Sequence, residues 1–295
     1  MAAAPQQALS SGGKVLFGSL CAGTFVLGVW QTQRFFEKQV LTTAREEQMQ
    51  QAPLTSLTAA MHLRQETPFR RWQVTGQFVH KGEVLVGPRG LPPGALPKKT
   101  TPSRGVMGDS SAGTGPQGYF VVTPFEITEE DATSKSTRTV LVNRGWIPKE
   151  FIDQTTNTKG LWSRPEGSCM ISAIPIQFEE PKWLKPQHDF SKRPLRLIFY
   201  DGDAFKVVLE QIRDDNNNPR NKVTEEEESL ILLTQIKDTD HQKDVKKLAF
   251  PLQSPADQVG EYKISPLIHA GYATTWFGLS GAGLYMTRKL LTRGR

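Results

Sequence analysis

The sequence predicts an α+β protein in which an N-terminal and a C-terminal transmembrane helix flank a strand-dominated antiparallel β domain with one or two helices. Three observations lead to this prediction. A long stretch without charged residues lies near each end of the chain, and apolar and polar residues alternate between them, with connections rich in Gly, Pro and Asn. Uncharged apolar stretches are typical of membrane helices, and a period of two is typical of half-buried strands.

The first transmembrane helix is predicted at 15–33, since no residue between Lys14 and Arg34 is charged. Its most apolar part, 15–30, covers roughly 24 Å at about 1.5 Å per residue, against roughly 30 Å for a bilayer core. Residues 31–33 and a snorkelling Lys14 are expected to cover the difference. A cleaved signal peptide and a buried helix are the alternatives, but no clear small-residue cleavage site precedes a mature start, so a retained anchor is favoured.

The second transmembrane helix is predicted at 264–287, where no residue carries a fixed charge. Tyr272, Trp276 and Tyr285 are aromatic residues of the kind found near membrane interfaces. Both segments also contain small residues four positions apart, a spacing that lets helices approach closely. These residues are Ser19 with Gly23, and Gly278 with Ala282.

Basic residues near the two apolar stretches predict the orientation. Four of them form a tail at 288–295, and Lys14 ends the N-terminal segment 1–14. By the positive-inside rule both termini face the inner compartment, and 34–262 lies on the opposite side. In a mitochondrion this places both termini in the matrix and the central domain in the intermembrane space. Segment 1–14 is a poor targeting sequence because it contains no Arg.

Alternation and breaker residues divide the central domain into strands and a few helices. The predicted strands are 70–79, 83–88, 118–127, 137–147, 169–177, 195–200 and 230–236. The predicted helices are 31–51, which continues the first membrane helix, 54–63 and 203–213. Two stretches, 89–117 and 214–228, are predicted to be flexible because of their Gly/Pro/Ser and polar acidic compositions.

Charge and cysteine content narrow the classes of function. The net charge is +6, yet no compact stripe of Lys and Arg with interleaved aromatics occurs, so nucleic acid is not an expected partner. Cys21 and Cys169 are predicted to be free thiols, and no Cys/His spacing typical of a metal site is present. The GxGxxG match at 113–118 leads into a strand instead of a helix, so it is interpreted as chance.

His269 is the candidate cofactor ligand, because it lies at the outer end of the second membrane helix. On a helix, Tyr272 and Trp276 share its face. A neutral imidazole on an aromatic, apolar face is what an axial haem ligand requires. The alternative is an interfacial histidine hydrogen-bonded to water or backbone.

Arg144 is the second candidate, a strand arginine beside Trp146. It is suited to pairing with a carboxylate or a propionate, or to pinning its strand to a neighbouring loop. Gly118 and Gly145 are interpreted as relieving steric crowding at strand ends. No catalytic residue is predicted, because no nucleophile elbow or metal-ligand spacing occurs.

Five segments together resemble the surfeit locus protein 1 family. They are LGVWQTQR (27–34), which contains Trp30, GPRG (87–90), GYFVVTPF (118–125), VLVNRGWIP (140–148) and HAGYATTWFGLS (269–280). Their order and spacing span nearly the whole chain. The segment before Asp203, LRLIFYDGDAF, departs from the tryptophan-rich stretch expected of the family.

This resemblance implies a mitochondrial inner-membrane assembly factor for cytochrome c oxidase, acting early in core-subunit maturation, around haem a insertion. It also implies that His269 corresponds to the histidine through which bacterial relatives bind haem a. The expected partners are the oxidase core subunit, other assembly factors and the lipid bilayer. The alternatives are a stable accessory subunit of a respiratory complex and a membrane-anchored enzyme acting in the outer domain.

Overall fold

A computed structural model describes residues 11–92, 94–95, 116–131, 134–153, 162–180, 187–188, 190, 194–215, 230–237, 249–260 and 265–293. The chain forms two compact units. One, the helical unit, is built from 1–47 and 261–295; the other, the strand domain, comprises 48–260.

Two long helices form the helical unit. Helix α1, Ser11–Gln50, is continuous, as the sequence predicts, and at about 1.5 Å per residue its length is about 60 Å. Among the described residues, α1 is the one helix long and apolar enough to cross a membrane. The predicted second span lies on the C-terminal helix, Pro266–Arg293. Its most apolar stretch contains many Gly, Thr, Ser and Tyr residues, and its crossing stays a prediction.

The strand domain contains eight strands and three short helices in its described part. The strands are β1 Trp72–Phe78, β2 Val84–Gly90, β3 Gln117–Asp131, β4 Ser134–Pro148, β5 Ser168–Ile176, β6 Leu195–Leu197, β7 Leu232–Lys237 and β8 Ser254–Pro255. The helices are α2 Leu57–Leu63, α3 Glu150–Asp153 and α4 Gly202–Asp215, so the C-terminal helix is α5. All seven predicted strands and the helix predicted at 203–213 are present, with shifted ends.

Five strands close into a ring. The order β1-β5-β7-β4-β3 returns to β1, because Phe78 of β1 pairs with Phe125 of β3 while Trp72 pairs with Ala173 of β5. Strand β3 is long enough to pair along one edge with both β2 and β1. Strands β2 and β6 extend the sheet beyond the ring. Closure removes the exposed edges that an open sheet would leave on these five strands.

The prediction of an antiparallel sheet is wrong in part, because the sheet is mixed. The pairs β2–β6, β4–β7 and β7–β8 are parallel. Parallel neighbours need long crossover connections, and here more than 80 residues separate the end of β4 from the start of β7. Strand β6 also ends at Leu197 instead of residue 200, because the chain turns there before α4 begins.

Alternate residues of the ring strands form its apolar core. Inward positions include Trp72 and Phe125, both fully buried. Helix α2 packs on the same cluster through Leu57 and Ala60. The other core residues of these strands are Val74, Phe78, Ile127, Val140, Val142, Ile171, Ala173 and Leu233.

A second core lies on another face of the sheet, where α4 packs. The buried residues of α4 fall at i, i+1, i+4 and i+5, the spacing of an apolar helix face. They are Ala204, Phe205, Val208 and Leu209. The stretches predicted to be flexible lie largely outside the described residues, although Arg89 and Gly90 belong to β2, and α4 extends to Asp215.

Candidate functional site

Direct contacts between α1 and α5 define how the two helices of the helical unit pair. The hydroxyl of Ser280 donates a hydrogen bond to the carbonyl oxygen of Cys21, at 2.9 Å. Further along, a Cβ on Gly28 would lie 2.7 Å from the Phe277 ring, so only glycine allows this close approach. These contacts run in opposite chain directions, and the helices are therefore antiparallel.

The residues at this helix contact differ from the small pairs that the sequence indicated. Ser19, Gly23, Gly278 and Ala282 are all exposed. The buried small residues are instead Gly28 on α1, with Ala273 and Ser280 on α5.

His269 lies in the first turn of α5 and contacts α1 directly. Its Nδ1 atom is 2.8 Å from Oε1 of Gln31. An amide oxygen only accepts hydrogen bonds, so Nδ1 is the donor and the lone pair of the neutral ring is on Nε2. No described residue hydrogen-bonds to Nε2. The sequence did not identify Gln31 as a site residue, since it lies 238 positions away in the chain.

The aromatic residues predicted around His269 lie in different environments. Trp276 is half-buried, whereas Tyr272 is 53% exposed although the two were predicted to share a face. Trp30 of α1 is 47% exposed, and the Arg34 guanidinium lies 5.7 Å from the centre of its ring. The structure therefore brings His269 together with Gln31, and Trp30 with Arg34.

The single imidazole suits a haem iron better than a free metal ion. Haem takes one or two axial ligands from the protein, and a neutral histidine nitrogen is a common one. A protein-held metal ion needs several convergent ligands. Within the described ranges no group of three or more His, Cys, Asp or Glu side chains is placed to hold a metal ion.

In the strand domain, Arg144 of β4 is buried and ion-paired. Its Nη1 atom lies 3.3 Å from Oε2 of Glu83, and its Nη2 donates to the carbonyl oxygen of Ser163. The guanidinium carbon also lies 4.9 Å from the centre of the Phe78 ring. Burial lowers the pKa of Arg144 to about 10, and the nearby Glu83 opposes that shift. Arg144 therefore both pairs with a carboxylate and anchors its strand to a loop.

Glu83 is the centre of this polar cluster, and the sequence did not indicate it. Besides Arg144, its carboxylate accepts hydrogen bonds from Trp162 Nε1 at 3.2 Å and Arg164 Nη2 at 2.8 Å. His80 Nδ1 lies 3.9 Å away. The one sequence signal was a charged residue directly before the apolar run at 84–86. Buried charges are stable only when they are paired in this way, so the geometry of the cluster indicates a role in holding the fold together.

The two candidate glycines of the strand domain occupy crowded positions. A Cβ on Gly118 would lie 2.0 Å from the carbonyl oxygen of Ile147. Gly145 has φ +130°, and its Cβ would lie 2.5 Å from the carbonyl oxygen of Leu252. Both residues therefore permit close backbone approach, and Gly145 also needs the conformational freedom of glycine.

The remaining titratable groups of the described residues include a buried His–Asp pair, in which Nε2 of His188 lies 3.1 Å from Oδ2 of Asp201. Burial raises the pKa of Tyr200, whose hydroxyl is 3.1 Å from Nδ2 of Asn143. Burial likewise raises the pKa of Cys169, which is a free thiol, as is Cys21. A cavity of roughly 820 Å³ beside α2 has one carboxylate in its described lining, the exposed Glu180. This lining holds no pair of acidic side chains of the kind that general acid–base catalysis uses.

Known proteins resemble this chain along most of its length. The family model described as the SURF1 family matches residues 19–281. The cytochrome oxidase assembly protein SHY1 of Saccharomyces cerevisiae is 25% identical over 320 aligned positions, which cover 92% of this chain and 74% of the yeast protein. A SURF1-like protein of Drosophila melanogaster is 28% identical over 196 residues, covering 65% of this chain and 60% of that protein.

Other relatives match over shorter stretches. Surfeit locus protein 1 of Homo sapiens is 30% identical over 136 residues, covering 46% of this chain and 41% of the human protein. The match spans about three-fifths of the length of the animal SURF1-like relatives. The matched residues begin within α1, end within α5 and include the whole strand domain. On this match, which confirms the resemblance seen in the sequence, the chain belongs to the SURF1 family.

Proposed function

We propose that this chain is a non-catalytic assembly factor for cytochrome c oxidase in the mitochondrial inner membrane. The observation that carries the proposal is the similarity to the yeast oxidase assembly protein over 92% of the chain. The expected partners are the oxidase core subunit and other assembly factors, at an early stage of core-subunit maturation.

The proposal includes two membrane crossings, with both termini in the matrix and the strand domain in the intermembrane space. Helix α1 supports the first crossing by its length and composition. Large apolar side chains on α5 support the second, because Leu267, Leu284 and Met286 are 78%, 58% and 62% exposed and would otherwise face water. Basic residues at the C-terminal end of α5, Arg288, Lys289 and Arg293, support the orientation.

The proposal also includes transient binding of haem a through His269. Haem iron takes a neutral imidazole nitrogen as an axial ligand. The hydrogen bond from Nδ1 to Gln31 leaves Nε2 with the lone pair that such a ligand needs. Trp276 lies on the same helix, two turns further along, and offers half-buried aromatic surface nearby.

Deletion of the gene that encodes this chain is expected to lower the amount of assembled oxidase and the cellular haem a content. Native electrophoresis of mitochondrial membranes and a difference spectrum measure the two quantities. Re-expression of the wild-type chain should restore both, as should His62→Ala, a control on an exposed histidine of α2. His269→Ala should restore less. Unchanged oxidase after deletion would refute the proposed function, and stoichiometric co-purification with mature oxidase would favour the accessory-subunit alternative.

A further inference from the structure

We propose that Gln31 is a positioning residue that fixes the tautomer and the ring orientation of His269. This inference rests on the proposed function, in which Nε2 of His269 binds haem iron. Histidine ligands of metal centres are commonly oriented by a hydrogen bond at the other ring nitrogen. Here that second partner is supplied by a different helix, so the ligand geometry depends on the pairing of α1 and α5.

The hydrogen-bonding capacity of the two side chains determines the tautomer. Oε1 of Gln31 has lone pairs and no hydrogen, so the 2.8 Å contact requires a hydrogen on Nδ1. A neutral imidazole carries one N–H, which leaves Nε2 as the acceptor. Without Gln31, either nitrogen is free to carry the hydrogen, and only part of the population presents a lone pair on Nε2.

A glutamine is suited to this position because it accepts a hydrogen bond without adding charge. A carboxylate would be a stronger acceptor, but an ionised group inside a membrane segment is costly. Gln31 lies three residues beyond Gly28, where the Phe277 ring of α5 packs closely against α1. Ala273, one turn after His269, is buried. Packed residues therefore lie close to the hydrogen bond between Gln31 and His269 on both helices, and they hold the two side chains together.

Nitrogen-15 NMR of the full-length protein in mild detergent, without haem, tests the inference directly. The His269 ring signals are assigned by their loss in His269→Ala. In the wild type we expect the hydrogen on Nδ1. In Gln31→Leu, which removes the acceptor, we expect the hydrogen to shift toward Nε2, and in Gln31→Glu, which keeps an acceptor, we expect Nδ1 to stay protonated. Gln33→Leu is the matched control, since Gln33 hydrogen-bonds within α1 to Glu37, at 3.1 Å.

Titration with haemin gives a second readout. Loss of an orienting partner typically weakens metal binding about 10–100-fold, so Gln31→Leu should raise the haemin dissociation constant by about tenfold or more while Gln33→Leu leaves it unchanged. A wild-type ring with its hydrogen on Nε2, or an Nδ1 hydrogen that persists in Gln31→Leu, would overturn the inference. Equal haemin binding by wild type and His269→Ala would instead refute the haem proposal, and the NMR result would still decide the role of Gln31.

Discussion

Replacing Glu83 with alanine is expected to destabilise the strand domain by about 3–5 kcal/mol, the cost of leaving a buried charge unpaired. Arg144 is 3% exposed, and Glu83 is its carboxylate partner. Alanine would also remove the acceptor for Trp162 Nε1 and for Arg164. Urea unfolding of the full-length protein in detergent, followed by tryptophan fluorescence, measures the change in the free energy of unfolding.

Two further variants separate the buried charge from other effects of Glu83→Ala. Glu180→Ala removes an exposed carboxylate from the same domain and should change stability by less than about 0.5 kcal/mol. The double variant Glu83→Ala/Arg144→Ala should cost less than the sum of the two single variants, because it removes both buried charges together. An additive double variant would show that Glu83 and Arg144 are not coupled.

Gly118→Ala is expected to destabilise the strand domain by about 3 kcal/mol, at the upper end of the usual cost of overpacking. The added Cβ would lie 2.0 Å from the carbonyl oxygen of Ile147 and 2.5 Å from the Trp146 ring. The first of these atoms belongs to the backbone of β4 and cannot move without disturbing the β3–β4 ladder. Urea unfolding measured as for Glu83→Ala gives the change.

Gly90→Ala is the matched control for Gly118→Ala. Gly90 lies on the neighbouring strand β2, and a Cβ added there would have no neighbouring atom within 4 Å among the described residues. Its substitution should change stability by less than about 0.5 kcal/mol. Equal effects at the two positions would show that steric crowding at Gly118 is not what requires glycine there.

Local sequence patterns predicted the strands and helices of the fold, but they did not predict that five strands close into a ring. Alternation in β1 and the apolar spacing in α4 are visible within a few residues. The pairing of β1 with β5 and with β3 joins segments about 100 and about 50 positions apart, respectively, and no local pattern encodes it. The parallel pairing of β4 with β7 was missed for the same reason, since strand direction depends on the long connection between them.

In the candidate site, too, the sequence indicated some residues and not others. His269 was found because an ionisable residue in an apolar stretch is visible in the sequence. Its partner Gln31 was not, since a glutamine at the end of a membrane segment is common in composition and their contact depends on helix register. Arg144 was identified beside Trp146, but Glu83 became evident only when folding brought it to Arg144 from 61 positions away.

The closed ring sets a condition on truncated products of this chain. Strand β7 lies between β4 and β5 and is the last of the five ring strands along the sequence. A product that terminates before Leu232 would therefore expose unpaired backbone groups on both of those neighbours. Such a fragment is a template for aggregation, so premature stop codons upstream of that point are expected to yield protein that is cleared by proteolysis, even though most of the domain has been synthesised.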